Sequence, residues 1–301
     1  MNTITMQPTS THNDLEHLAQ QLDQSDDYQV LRRFKPVSYY HPDKGETLHK
    51  VCIIDTETTG LDTERCEIIE LGYQILSFDS HGQMYEVLCA KNFLNEPKGE
   101  ITPEVTQVTG LTIDDVKGHQ IPWDEVVEDM QEVQLIVAHN AGFDRPVVER
   151  YNDVFVDKVW GCSASQIDWF NLAKVGSRSQ EFLCWKVGQF FYHAHRALDD
   201  VQALTHLLTF TISEQQLPAF HFLLSVVRQQ KVMIKATGAP FEVKDDLKSR
   251  GYRWNAAERV WQKVFDVSLQ ESELAWLIEN NTQNPTLIKL KATDTFSVRA
   301  K

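Results

Sequence analysis

Four acidic side chains stand where one predicted element of this 301-residue chain gives way to the next. They are Asp55, Glu57, Asp144 and Asp200, with His195 five residues before the last of them. If the fold brings these element ends together, the carboxylates share one cleft and repel each other by roughly 1 to 4 kcal/mol per close pair. Divalent cations would offset that repulsion. Oxygen ligands favour Mg²⁺ or Mn²⁺, and two such ions about 3.5 to 4 Å apart promote phosphodiester displacement.

The first motif, residues 55–60, follows an apolar run over residues 50–54 that predicts a buried strand. Because successive strand residues point to opposite faces, the side chains of Asp55 and Glu57 project to the same face. At the carboxyl end of the strand they face the crevice where open α/β sheets bind ligands. A polar strand exit into a Thr-Thr-Gly turn would explain the same residues without any chemistry.

The other two motifs also have plain structural alternatives. The run 134–138 predicts a second buried strand, after which Asp144 lies in the first turn of a helix that also places Pro146 in its first turn. The helix dipole alone favours an acid there. We place His195 on a loop and Asp200 in the early turns of the following helix, because five helical residues rotate through about 140°. A surface histidine before helix-start acids is the alternative.

The elements around these motifs predict an α/β fold with a mixed sheet flanked by helices. Further strand candidates at residues 67–77 and 86–93 would form an antiparallel meander with the strand at 50–54. The helical segments are residues 113–132 in parts, 181–191 and 199–213. Strands followed by alternating helices and strands are typical of a sheet with helices on its faces.

Changes in composition divide the chain into four predicted parts. These are a polar N-terminal extension with a helix and linker over 1–49, the motif-bearing domain over 50–213, a connecting helix over 214–230 and a small α+β domain over 231–301. The N-terminal helix is expected to reach about Phe34. A chain of this length has room for two domains, each with its own core.

The charge of the chain is unevenly distributed. The formal net charge is -14, but residues 1–230 carry -17 and residues 231–301 carry +3. An acidic body repels polyanions at long range. Any nucleic-acid role must therefore rest on local neutralisation.

Cysteine spacing and hydropathy bear on the compartment. Five cysteines, never at CxxC spacing, support neither a disulfide framework nor a zinc ribbon and favour a reducing, cytoplasmic location. Met1–Ser10 lacks the basic and apolar stretches of a signal peptide. The longest unbroken apolar run has five residues, far fewer than the ~20 of a spanning helix, so no membrane role is expected.

Three motifs make the chain similar to a known enzyme family over residues 50–211. They are Asp-Thr-Glu-Thr-Thr-Gly at 55–60, His-Asn-Ala-Gly-Phe-Asp at 139–144 and His-Arg-Ala-Leu-Asp-Asp at 195–200, with a connecting region over 101–112. This pattern resembles the DEDDh branch of 3′-to-5′ exonucleases, which includes bacterial polymerase proofreading subunits, ribonuclease T and oligoribonuclease. The family spacing selects Asp200 over Asp199, and Arg196 occupies the position of the tyrosine that marks the sister branch.

The resemblance implies an RNase H-like fold and stepwise release of nucleoside 5′-monophosphates from the 3′ ends of single-stranded DNA or RNA, in repair, turnover or proofreading. It implies that two Mg²⁺ or Mn²⁺ ions are held by Asp55, Glu57, Asp144 and Asp200. His195 would accept a proton from the attacking water. Substrate contacts are implied for Thr58, Phe143, His139 and Asn140. The alternative for Phe143 is a place in the core, where an aromatic residue early in a helix is more often found. Two rival functions are a proofreading subunit associated with a DNA polymerase and a catalytically decayed nucleic-acid binding scaffold.

Aromatic and basic residues alternate in a predicted hairpin of the C-terminal domain. They are Tyr252, Arg253, Trp254, Arg259, Trp261 and Lys263. Such a surface could hold single strands by stacking unpaired bases. The alternative is that a domain of this size needs both tryptophans for its own core.

A short segment at residues 216–220 loosely resembles the peptides by which polymerase-associated proteins dock on a sliding clamp. It departs from the usual pattern at Pro218 and Ala219. A helix that begins at Pro218 and runs through Val227 explains the segment equally well.

Overall fold

The structure is a computed structural model that describes residues 12–42, 45–214 and 216–300. Within these ranges the strands are β1 (Arg32–Arg33), β2 (His49–Thr58), β3 (Ile68–Phe78), β4 (Met84–Leu94), β5 (Leu135–Ala138), β6 (Val159–Cys162), β7 (Phe190–Phe191), β8 (Lys231–Lys235), β9 (Arg253–Asn255), β10 (Val260–Asp266) and β11 (Thr286–Lys289). The α-helices are α1 (His12–Asp23), α2 (Pro103–Thr109), α3 (Ile113–Val116), α4 (Trp123–Met130), α5 (Ala141–Glu149), α6 (Ser163–Gln166), α7 (Trp169–Leu172), α8 (Gln180–Lys186), α9 (Ala197–Thr209), α10 (Ala219–Val227), α11 (Lys244–Ser249) and α12 (Gln270–Glu279).

The central sheet is mixed and has the strand order β4-β3-β2-β5-β6. Strands β2, β3 and β4 pair antiparallel, which confirms the predicted meander. Strands β5 and β6 join the other edge in parallel with β2. The predicted α/β class with a mixed sheet is therefore confirmed.

Strand β2 is covered on both faces, and its alternation decides which face receives the carboxylates. Val51 and Ile53 pack in one apolar cluster with residues of α8, α9 and α10. Cys52 and Ile54 pack in another with residues of α4 and α5. Because side chains alternate along a strand, Asp55 continues the face of Val51 and Ile53, towards α9.

Gly72 allows α9 to begin directly against the sheet. This residue pairs with Asp55 across β3 and β2. A Cβ atom at position 72 would lie 2.5 Å from the carbonyl carbon of Ala197 and 2.5 Å from the amide nitrogen of Leu198. Only glycine leaves room for that backbone, so the strand and the start of α9 approach each other closely beside Asp55.

A second sheet lies in the C-terminal part, with the order β11-β8-β10-β9 and antiparallel pairing throughout. Its core contains Val232, Ile234, Leu247, Tyr252 and Leu277, the last of these from α12. The predicted small C-terminal α+β domain is thus present. Its boundaries, and those of the other three parts, stay predictions.

The segment after β11 returns to the sheet that carries the motifs. Arg145, on α5, is fully buried and pairs with Glu149 at 2.8 Å. Its guanidinium also donates to the carbonyl oxygens of Thr293, of Thr295 at 2.7 Å and of Val156 at 3.0 Å. The C-terminal segment therefore provides carbonyl oxygens that accept hydrogen bonds from the buried guanidinium of Arg145, the residue that follows Asp144.

Several predicted helices are shorter than expected. The first ends at Asp23 rather than near Phe34, and the segment after it pairs through β1 with β7. That pairing uses residues 190–191, so the helix predicted over 181–191 ends at Lys186. Helix α5 begins at Ala141, which puts Pro146 past its first turn.

The expectation for Met1–Ser10, that these residues form no signal peptide, lies outside the described residues. Every helix in the described ranges is too short or too polar to cross a membrane.

Candidate active site

Three of the predicted acids meet at the end of β2. Oxygen atoms of Asp55, Glu57 and Asp200 all lie within 4.8 Å of one another. Asp55 and Glu57 come from one face of the strand, and Asp200 comes from the first turn of α9. The glycine opposite Asp55 is what lets that turn approach the strand.

Asp200 is held by three donors from three parts of the chain. Tyr192 donates its hydroxyl to Oδ1 at 2.7 Å, and Gln180 donates Nε2 to the same oxygen at 3.1 Å. The backbone amide of His195 donates to Oδ2 at 2.7 Å. These bonds fix the carboxylate before any ligand arrives.

Asp144 lies beside this group, but its carboxylate is turned partly towards the strand. Its side chain is buried, and Oδ1 accepts from the backbone amide of Thr56 at 3.2 Å and from the Thr56 hydroxyl at 2.9 Å. It is not one of the three acids whose oxygens lie within 4.8 Å of each other. Its charge nevertheless acts on Asp55 and Glu57.

The four carboxylates carry more negative charge than the nearby guanidinium of Arg196 offsets. Burial, followed by repulsion from neighbouring carboxylates, raises the pKa of Glu57 to about 7 and that of Asp55 well above its usual value. Burial also raises the pKa of Asp144 to about 7, partly offset by its bonds to Thr56, and raises the pKa of Asp200. A set of oxygen donors with this excess of negative charge fits divalent cations.

His195 stands on the loop before α9, as predicted, in a left-handed backbone conformation with φ = 67°. A residue other than glycine is rarely found there, at a cost of about 1 kcal/mol or more. The strain is compensated by the bond from its amide to Asp200. The imidazole is exposed and forms no hydrogen bond with any residue in the described ranges.

Glu70 is a fully buried carboxylate in β3 that the sequence argument missed. Its oxygens accept from Arg196 Nη2 at 2.7 Å and Nε at 3.1 Å, from Asn92 at 2.8 Å and from the backbone amide of Ala197 at 3.0 Å. It therefore anchors the start of α9, between His195 and Asp200. Glu70 is the one charged residue in the largely apolar stretch 68–76, and this was a signal that could have identified it.

An open pocket of about 410 Å³ adjoins the carboxylates. Its lining includes Glu57, Thr58, Leu61, Val108 and Phe143. Thr58 donates its hydroxyl to the carbonyl of Gly60 at 2.7 Å, which leaves the hydroxyl oxygen able to accept. The two predicted contact residues Thr58 and Phe143 are thus brought together.

The two other predicted contact residues differ from each other. His139 Nε2 lies 2.8 Å from the carbonyl oxygen of Arg178, so it is the donor there, and Nδ1 is left to accept from Ser163 at 2.8 Å. Burial lowers the pKa of His139 to about 4. Both ring nitrogens are therefore occupied by protein, and neither is free for a substrate. The Asn140 side chain is exposed and does not cap α5.

Comparison with known proteins agrees with this geometry. Residues 52–208 match the RNase_T family, described as Exonuclease. The DNA polymerase III subunit epsilon of Treponema pallidum is 31% identical over 170 residues, which cover 53% of this chain and 74% of that relative. The PolC-type DNA polymerase III of Thermotoga maritima is 31% identical over 159 residues, 50% of this chain and only 11% of that polymerase.

Solved exonuclease structures resemble the chain more distantly. E. coli Exonuclease I in complex with a dA16 oligonucleotide has a TM-score of 0.47 and 14% identity, over 81% of this chain and 66% of that one. Exonuclease X in complex with 5′ overhanging duplex DNA has a TM-score of 0.41 and 22% identity, over 57% and 99%. The family match and the motif residues suffice for a conclusion: the chain belongs to the DEDDh superfamily of 3′-to-5′ exonucleases.

Proposed function

We propose that the protein removes nucleotides one at a time from the 3′ end of single-stranded nucleic acid and releases nucleoside 5′-monophosphates. The observation that carries this proposal is the meeting of Asp55, Glu57 and Asp200 within 4.8 Å, with Asp144 beside them. Two Mg²⁺ or Mn²⁺ ions are the proposed cofactors. Their charge of +4 equals the -4 of four ionised carboxylates, which removes the local repulsion of a phosphodiester.

The four acids are the proposed metal ligands. Bound divalent ions would stabilise the negative charge that develops on the phosphate. Asp200 enters this set already oriented by Tyr192 and Gln180, and Asp144 by Thr56. Such bonds to ligand side chains reduce the reorganisation that binding requires.

His195 is the proposed proton acceptor. Its exposed imidazole can reach solvent, while its backbone is tied to Asp200. Water attacks the phosphorus and loses its proton to the imidazole. The bond from phosphorus to the 3′ oxygen breaks, and that oxygen takes a proton from solvent to leave as the 3′ hydroxyl of the shortened strand. Histidine is the side chain that most often performs this transfer.

The pocket beside the acids is the proposed site of the terminal nucleotide. Its volume of about 410 Å³ lies within the range of sites for one small ligand, ~300 to 1,000 Å³. Phe143 would pack on the sugar or base, and Thr58 would accept from the sugar. A pocket for one nucleotide favours an unpaired 3′ end, which is why we propose a single strand.

The test uses paired variants. Asp55→Ala and His195→Ala are purified beside wild type, and shortening of a 5′-labelled oligonucleotide is followed in Mg²⁺, Mn²⁺ and EDTA. Both variants should lose activity, and EDTA should abolish it in wild type. Asp199→Ala is the matched control, because this exposed neighbour of Asp200 should be dispensable. Undiminished degradation by Asp55→Ala would refute the assignment, and no metal-dependent release by wild type would favour the decayed scaffold.

A second candidate is a role as a proofreading subunit of a DNA polymerase. It is favoured by the 31% identity to a polymerase epsilon subunit over 74% of that relative. Co-elution with a purified polymerase catalytic subunit would support it, and separate elution would count against it. Sliding-clamp docking is not included, because Phe220 is fully buried against Phe78. Cytoplasmic location stays a proposal from cysteine spacing.

A further inference from the structure

We infer that the C-terminal sheet carries a second binding site, for unpaired nucleotides of a single-stranded polyanion, centred on Trp254. The choice of nucleic acid as the ligand rests on the proposed function, whereas the existence of a binding surface rests on the geometry alone. The site consists of two cavities that both include Trp254 in their lining, with volumes of about 730 and 860 Å³. We call them together the Trp254 surface, lined by Lys235, Phe241, Lys244, Arg253, Trp254, Arg259, Trp261 and Lys263 among others.

The aromatic rings of this surface are not all needed by the core. Tyr252 is buried, and Trp261 packs partly against the core. Trp254 is 51% exposed and Phe241 is 74% exposed, and neither belongs to the apolar cluster. The alternative that both hairpin tryptophans serve the core is therefore wrong for Trp254. Two large exposed rings in one cavity indicate a contact surface.

The geometry of these rings suits stacking. Trp254 and Trp261 pair directly across β9 and β10, and their rings meet edge-on with centroids 5.6 Å apart. One ring thus supports the other. Lys244 Nζ lies 4.0 Å from the centroid of the Phe241 ring. A cation beside an aromatic face is the combination that holds a base and its phosphate.

The charges at the surface favour a polyanion over a neutral or basic partner. Lys235 pairs with Glu258 and Lys263 with Glu273. Lys244, Arg253 and Arg259 form no ion pair with any residue that the structure describes. Residues 231–301 carry +3 while the rest of the chain carries -17. A strand repelled by the acidic body would therefore be attracted to this part.

The occupant is thus argued to be nucleic acid rather than protein. The rings here are interleaved with Lys244, Arg253 and Arg259, which lack a carboxylate partner among the described residues. A nucleic-acid strand supplies both groups that such a surface can bind, a base for each ring and a phosphate for each cation. Aromatic platforms beside basic groups bind single strands with little sequence preference. DNA and RNA share that chemistry, and matched oligonucleotides distinguish them.

The test measures binding in EDTA, so that it does not depend on cleavage. Full-length protein is titrated into fluorescein-labelled 20-nucleotide DNA and RNA of the same sequence, and anisotropy gives Kd over a series of salt concentrations. Trp254→Ala and Phe241→Ala should each raise Kd at least about fivefold, as expected for loss of one stacked base. Arg253→Gln should reduce the salt slope by about one.

Ile278→Ala is the control, because Ile278 is 62% exposed in the same domain and lines neither cavity. Its Kd should equal that of wild type. Thermal unfolding confirms that each variant is folded, and with two independent ring variants a failure of one to fold leaves the other as the test. Unchanged Kd in a folded Trp254→Ala or Phe241→Ala, or an unchanged salt slope in Arg253→Gln, would overturn the inference and would leave the surface to a protein partner.

A trinucleotide separates this inference from the proposed activity. Apart from the nucleotide in the active-site pocket it offers only two others for binding elsewhere. Wild type and Trp254→Ala should therefore cleave it equally in Mg²⁺, whereas KM for the 20-nucleotide strand should rise in the variant with kcat unchanged. If wild type cleaves nothing but the Trp254 effect on Kd persists, the proposed function fails and this inference stands. If wild type cleaves the strand and Trp254→Ala leaves Kd unchanged, this inference fails and the proposed function stands.

Discussion

Replacing Glu70 by glutamine should disable the active site without touching any carboxylate in it. The change keeps the size of the side chain but exchanges one acceptor oxygen for a donor. In one orientation the new amide faces the backbone N–H of Ala197, and in the other it faces the donors of Arg196 and Asn92. Either way a buried donor loses its acceptor.

The magnitude follows from these bonds. A buried donor left without a partner costs about 1 to 3 kcal/mol, and the loss of a charge-assisted bond to Arg196 adds to this. Because the Arg196 side chain is 45% exposed, water recovers part of the loss. We expect the attachment of the α9 start to Glu70 to weaken by about 2 to 3 kcal/mol. The population of molecules in which this start is detached from β3 then rises roughly 30- to 150-fold.

Detachment moves His195 and Asp200, which flank the anchored residues. A displacement of about 1 Å at reacting groups costs up to 10²-fold in rate. We therefore expect kcat in Mg²⁺ to fall about 10- to 100-fold in Glu70→Gln, measured with a 5′-labelled oligonucleotide at saturating substrate. Thermal unfolding is measured in parallel.

The control is a variant that weakens the same strand seven residues beyond Glu70, at a side chain that forms no hydrogen bond with α9. Ser77, also buried in β3, accepts from the amide of Glu86 at 3.2 Å, and Ser77→Ala removes that bond. It should lower the melting temperature but keep kcat. If Glu70→Gln is destabilised and still turns over within about twofold of Ser77→Ala, the anchoring argument is wrong.

Three further outcomes are expected. Gly72→Ala should reduce activity strongly, because the added Cβ would lie 2.5 Å from the backbone of Ala197. Circular dichroism should show a folded protein. Unimpaired activity would contradict the argument that β3 and the start of α9 need glycine to approach each other. Arg145→Met should lower the free energy of unfolding by about 3 to 5 kcal/mol in urea titrations, because it leaves the carboxylate of Glu149 buried without its partner. A loss below about 1 kcal/mol would count against this role of the buried ion pair. In EDTA the melting temperature should fall as pH rises from about 4 to about 7, because the pKa values of Glu57 and Asp144 are raised to about 7 in the folded protein from ordinary values of 4.5 and 3.8. Their contribution to stability is fully present below the ordinary values, is lost as pH rises to the folded values and changes little above them. Mg²⁺ should reduce this fall, and a pH dependence identical in EDTA and Mg²⁺ would refute it.

What the sequence could predict was governed by local periodicity. The alternation of β2 was enough to place Asp55 and Glu57 on one face, and the helical rotation was enough to separate His195 from Asp200. The mixed sheet followed from the order of apolar runs. The first two inferences use residues fewer than about ten positions apart, and the third uses only the order of such local runs along the chain.

What it could not predict depends on contacts between distant residues. The bond from Thr56 to Asp144 joins positions 88 apart, and that from Arg196 to Glu70 joins positions 126 apart. No periodicity contains that information. The N-terminal helix was overextended for a similar reason, since residues 32–33 pair with residues 190–191, far along the chain.

The C-terminal hairpin shows the same limit in one pair of residues. Trp254 and Trp261 lie opposite each other in register, so alternation puts both on the same side of the sheet. Which of them is covered depends on the helices packed beside the sheet, and the structure leaves Trp254 exposed at the edge strand β9. The local sequence pattern thus identified the surface, but it could not decide which tryptophan is buried in the core and which is exposed for binding.

The distribution of charge gives the two proposed sites different tasks. The carboxylate site lies in the part that carries -17, and ions that neutralise its four acids restore neutrality only there. A site neutralised in this way has no net charge with which to attract a strand. Attraction must then come from the basic groups of the Trp254 surface. Added salt should accordingly raise KM for long strands more steeply than for a trinucleotide, while kcat should change little.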